Sequence, residues 1–216
     1  MENTTMENTR TKTTRNSLIL LLTAAIWGMA FVSQSKGMDY MHPFTFNGVR
    51  SLIGAASILV YILISRKIAG DKAAPLDWKL NVKAGLLCGI FLTIASTLQQ
   101  FGIKYTSVGK AGFITTLYII FVPMFGIFLK KKVAPVVWAA AVMAAVGMYL
   151  LCMTESLRLG AGDIMVFLCA IAFAIQIMTV DHYAARIDGA VVSCIQFTVC
   201  GVVCCIGALI WGQPPF

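Results

Sequence analysis

Charge is scarce in this chain. Asp, Glu, Lys and Arg supply 12% of its 216 residues, against about a quarter in soluble domains. Histidine is scarcer: His42 and His182 stand far apart, and a membrane enzyme acting on lipids would need clustered His, Asp or Ser at an aqueous boundary. No Walker-type glycine loop is present, so nucleotide hydrolysis is not expected to drive any process here. The seven cysteines, Cys88, Cys152, Cys169, Cys194, Cys200, Cys204 and Cys205, form no CxxC and no Cys/His metal pattern. They read as small core residues, and no cofactor or metal is expected. Adjacent Cys204 and Cys205 would point about 100° apart on a helix. The net charge is +8, but the basic residues sit singly or in short runs without a continuous basic face, which argues against nucleic acid as a partner.

Apolar residues fill the space that charge leaves, at 59% of the chain. They gather into seven stretches near 17–37, 44–64, 84–104, 108–129, 134–153, 163–180 and 190–211. About 20 helical residues cross a bilayer core, so the expected fold is all-α: a polytopic transmembrane bundle of about seven spans. Residues 1–16 show no apolar periodicity and are expected to form a disordered cytoplasmic N-terminus. The linker from Arg66 to Lys83, with Pro75 and Trp78, is expected to lie along the membrane surface.

Orientation follows from the basic residues. With the N-terminus inside, twelve Lys and Arg fall on the inner side and four (Lys36, Lys104, Lys110, Arg158) on the outer, with Arg50 inside a span. That asymmetry predicts a cytoplasmic N-terminus in the cytoplasmic membrane.

A shift of 146 residues lays the first span on the sixth. Ala24, Trp27, Gly28, Phe31 and Ser33 then face Ala170, Phe173, Ala174, Ile177 and Thr179, while Asn47 and Arg50 face Ser193 and Gln196. A five-span unit repeated across the membrane must run in the opposite sense, as in many secondary transporters. The expected organisation is a five-helix repeat over 17–153 and a partial second repeat over 163–216, its last three helices missing.

Several motifs carry a family resemblance. They are Ala25-Ile26-Trp27-Gly28 with Phe31, Pro43 with Arg50, the run Gln99-Gln100-Phe101-Gly102-Ile103-Lys104-Tyr105-Thr106-Ser107-Val108-Gly109, then Pro123, and Val146-Gly147-Met148-Tyr149-Leu150-Leu151. In their order and spacing they resemble the EamA type of the drug/metabolite transporter superfamily, over essentially all of 17–211. The resemblance implies ten helices in two inverted repeats, with small metabolites moved by alternating access. One departure is Lys130-Lys131-Lys132, where many relatives carry an acidic residue.

Polar side chains gather in the outer halves of the first four spans. Ser33, Gln34 and Ser35 stand on the first, Asn47, Arg50 and Ser51 on the second, Ser96, Thr97, Gln99 and Gln100 on the third, and Thr115, Thr116 and Tyr118 on the fourth. Polar groups are costly against lipid, so these side chains should converge, either around a substrate cavity opening outward or as interhelical hydrogen bonds. Arg50 lies roughly 9 Å inside the end of its span. It can grip a carboxylate or phosphate through paired donors, snorkel to the surface, or pair with Asp39. Trp27 and Gly28 can wall the cavity or simply pack. Pro123 removes one helical hydrogen bond and is a candidate hinge. Gly85 and Gly89 form a small-xxx-small pair that should admit another helix.

The function these features predict is secondary transport of small organic metabolites or drugs across the cytoplasmic membrane. The alternatives are a non-transporting or decayed membrane fragment that needs a partner and, behind it, an integral membrane enzyme acting on lipids. Expected partners are membrane lipids, a small-molecule substrate, and either a second copy of the chain in a homo-oligomer or the missing C-terminal helices.

Overall fold

The computed structural model describes residues 2–70, 76–129, 133–152 and 160–211. Among them every regular element is helical: α1 Glu2–Gly37, α2 Pro43–Ala69, α3 Trp78–Tyr105, α4 Val108–Thr116, α5 Tyr118–Phe128, α6 Pro135–Cys152, α7 Ala161–Tyr183 and α8 Gly189–Trp211, with a 3-10 turn at Ala184–Arg186. Six helical segments are long and apolar enough to cross a bilayer, α4 and α5 together making one of them. Helix α6, at 18 residues, would reach about 27 Å.

Capping residues set the helix starts. His42 caps α2, its Nδ1 accepting from Phe44 N at 3.4 Å, with Pro43 at the first helical position. Asp77 Oδ1 accepts from Leu80 N at 3.1 Å to start α3, and Ser107 Oγ accepts from Lys110 N at 3.2 Å to start α4. Asp188 Oδ1 accepts from Ala190 N at 3.0 Å and Val191 N at 3.3 Å at the head of α8. Short side-chain acceptors satisfy amides that a helix start leaves open.

Two expectations need correction. The linker expected from Arg66 to Lys83 shrinks, because α2 runs to Ala69 and the Asp77 cap starts α3 at Trp78; Pro75 lies outside the described residues. Residues 2–16, expected to be disordered, continue α1. Lengthening an existing helix needs no new nucleus, so weak polar sequence follows the apolar span. Lys130–Lys132 also lie outside the described residues.

The 146-residue offset recurs in the helix boundaries. Helix α1 ends at Gly37 and α7 at Tyr183, while α2 begins at Pro43 and α8 at Gly189; both pairs are 146 residues apart. The caps His42 and Asp188 obey the same shift. Direction is inverted as well. Ser51 meets Cys200 while Gly48 lies on Cys205, so α8 runs antiparallel to α2. Gly102 lies on Gly162, so α7 runs against α3, whereas Gln34 and Gln100 meet near the C-terminal ends of α1 and α3.

Helix α3 is the centre of the bundle and packs against α7 and α8, while α2 packs against α8. A side chain on Gly162 would place its Cβ 2.8 Å from the Gly102 carbonyl oxygen, so glycine there permits backbone-to-backbone contact. Gly85 and Gly89 receive Ile195 and Val199 of α8, the close approach their spacing predicts. Helix α1 touches α3 and α4 lightly and meets the Phe46 ring of α2 at Gly37; no residue in its apolar window is buried.

Candidate functional site

The predicted polar residues surround α3 in three separate groups. In the first, Asn47, fully buried, donates from Nδ2 to Ser96 O at 2.9 Å and accepts from Arg50 Nη2 at 3.1 Å. Arg50 itself is exposed, its Cζ 5.7 Å from the centroid of the Phe46 ring, and that ring rests on Gly37 at the end of α1. Its partner is Asn47 rather than Asp39. The guanidinium is thus held at a rim, with donor capacity left for an anionic group.

In the second group, Gln100 Nε2 donates to Gln34 O at 3.3 Å, and Gln34 Nε2 donates to Ala30 O at 3.2 Å. Gln34 and Gln100 are 3% and 0% exposed, and the amide oxygens of both lack a protein partner. Buried acceptors without donors are rare; the two mark a place for a water or a ligand's donor. In the third group, Gln99 Nε2 donates to Thr115 Oγ1 at 3.3 Å across α3 and α4.

The fourth span is broken. Leu117 N donates to Ile114 O at 3.2 Å, a tight three-residue turn that separates α4 from α5. Thr116 Oγ1 donates back to Gly112 O at 2.7 Å, a bond that bends helices. Tyr118 opens α5, half-buried. Pro123 lies inside α5 without interrupting it, so the discontinuity sits at Leu117. Beside the break a small crevice is lined by Phe113, Thr116, Leu117, Ala141 and Ala145. Trp27 and Gly28 stand apart from all three groups. Trp27 is 53% exposed, and a Cβ on Gly28 would meet open space.

One constellation was not singled out from the sequence. Asp163, 3% exposed, accepts from Gly160 N at 2.9 Å and from Thr106 Oγ1, and its Oδ2 lies 3.8 Å from Lys110 Nζ. It clamps the α3–α4 turn to the head of α7. The signal was a lone acid opening an apolar run, which an ionisable group in a span makes notable. His42, in the loop before α2, has its pKa held below the ordinary value by burial and then by the Lys104 charge. Among the described residues no three His, Cys, Asp or Glu side chains are grouped to hold a metal ion.

The EamA-like transporter family matches residues 15–153. An uncharacterized transporter of Archaeoglobus fulgidus is 31% identical over 171 residues, covering 76% of this chain and 48% of that protein. The chain therefore spans about half the length of that curated relative.

Proposed function

The chain belongs to the EamA-like transporter family, and from that premise we propose that it works as a secondary carrier of a small organic solute by alternating access. The observation that carries this reading is the break at Leu117 beside the buried polar groups around α3. Carriers of this kind bind at interrupted helices near the midplane and move one repeat against the other. Arg50 at the rim would take the anionic end of the solute, and the unpaired Gln34 and Gln100 oxygens would take a donor. Binding and release suffice; no bond is made or broken.

The bare outer face of α1 favours a second form of the reading, a half-carrier that functions only when further helices cover α1. Reconstitution of this chain into proteoliposomes tests both. Saturable uptake from a panel of labelled amino acids, nucleosides and organic acids, lost in Arg50→Gln, supports a carrier complete in this chain. Flux at the level of empty liposomes for the whole panel, with the protein folded and inserted, refutes that form and leaves the half-carrier, which a cross-link from Trp27→Cys to a second polypeptide in native membranes would support.

A further inference from the structure

We propose that Cys200 and Cys204 of α8 form a two-coordinate binding site for a soft monovalent cation of the Cu(I) or Ag(I) class. The two residues are one turn apart, which puts both side chains on one helix face. Both are buried. Their surroundings are polar. Ser51 Oγ of α2 donates to Cys200 Sγ at 3.4 Å, and Ser96 Oγ of α3 stands 3.4 Å from the same sulfur. Thr97 Oγ1 stands 3.8 Å from Cys204 Sγ.

Cys88 and Cys169 provide the contrast. They are equally buried, but Cys88 packs among Ala84 and Val192, and Cys169 among Ala95 and Ala172. Those are thiols used as apolar filler. At Cys200 and Cys204 two neighbouring helices turn three hydroxyls onto two sulfurs, an arrangement that plain packing does not require.

The donor set selects the ion. Soft sulfur ligands favour Cu(I) and its congeners, and Zn(II) is served by four ligands. Among the described residues no third His, Cys, Asp or Glu completes such a set. Charge selects further. Binding releases a proton from each thiol, so one monovalent ion between two thiolates leaves a centre of charge −1. Arg50 precedes Ser51, whose Oγ meets Cys200 Sγ, and its charge brings the total to zero. A divalent ion would leave a net positive charge, which a buried site disfavours.

This inference does not rest on the carrier reading, because a binding titration reads it whether or not the chain moves a solute. Purified full-length protein in detergent is titrated with Ag(I), a redox-inert probe, against a soluble thiol competitor. The wild type should show a tight phase of one ion per chain that Zn(II) does not displace. Cys200→Ser and Cys204→Ser should each weaken that phase by more than about 100-fold, beyond the range for outer-shell partners; Arg50→Gln should weaken it by about 10–100-fold. Cys169→Ala should titrate as wild type. A tight phase that survives loss of both Cys200 and Cys204, or no tight phase in the wild type, overturns the proposal. Should the serine variants fail to fold, X-ray absorption of the Ag(I)-loaded wild type decides. A shell of two sulfurs supports the site, and three or more sulfurs, or nitrogen and oxygen neighbours, overturn it.

Discussion

Asn47 holds two helices and a charge at once: its Nδ2 donates to the Ser96 carbonyl oxygen at 2.9 Å while its Oδ1 accepts from Arg50 Nη2 at 3.1 Å. Interhelical hydrogen bonds of this kind contribute about 0.6 kcal/mol on average and up to about 1.7. Asn47→Leu keeps similar bulk and removes both bonds. It should lower stability by about 1 kcal/mol in detergent unfolding and release Arg50 from its rim position. A variant as stable as the wild type would show that Asn47 does not tie α2 to α3.

Gly162 should tolerate no side chain. Its Cβ would stand 2.8 Å from the Gly102 oxygen and 2.8 Å from the Tyr105 carbonyl carbon, and backbone atoms cannot swing aside. Gly162→Ala should cost about 1–3 kcal/mol as overpacking, read as a lower melting temperature in detergent. Gly28→Ala is the matched control. Nothing lies within 4 Å of its Cβ, so stability should be unchanged or slightly raised.

His42 makes the α2 cap sensitive to acid. The neutral imidazole accepts from Phe44 N, and burial with the Lys104 charge lowers its pKa below 6.5. The unfolded chain therefore binds the proton more readily than the fold does. The contribution is fully present above the unfolded pKa and is lost as pH falls through the lower folded value. Melting temperature should drop between about pH 7 and 5. His42→Asn, a capping residue that does not titrate in this range, should flatten that dependence.

Asp163 should matter more than its place at a helix start suggests. It gathers Gly160 N, Thr106 Oγ1 and Lys110 Nζ. Asp163→Ala leaves those donors without their shared acceptor and should cost about 1.5–3 kcal/mol. Asp163→Asn retains an acceptor for Thr106 and should recover part of that loss. Equal stability of the two variants would show that the charge is the whole contribution.

The candidate site was legible in parts. Buried Gln34, Asn47, Gln99, Gln100 and Thr115 follow from a simple rule, that amides and hydroxyls in apolar helices turn away from lipid. Trp27 was not legible, because an indole is at home in a core or against lipid, and here it is exposed. The break at Leu117 was hidden too. Pro123 advertises a bend, whereas the turn falls just after Thr116, which bonds back to Gly112 O, and an ordinary threonine gives no such notice.

Composition and the spacing of apolar residues alone determined that the chain is a set of membrane-length helices. Only the tertiary structure decided which faces meet: α3 against α7 and α8, α1 left bare, and Cys200 beside Ser51 and Ser96. The physical reason is the solvent. Lipid is as apolar as leucine, so no hydrophobic difference marks the inner face of a span. The faces are chosen by close approach at glycine and by paired polar atoms, and these exist only once the helices have come together.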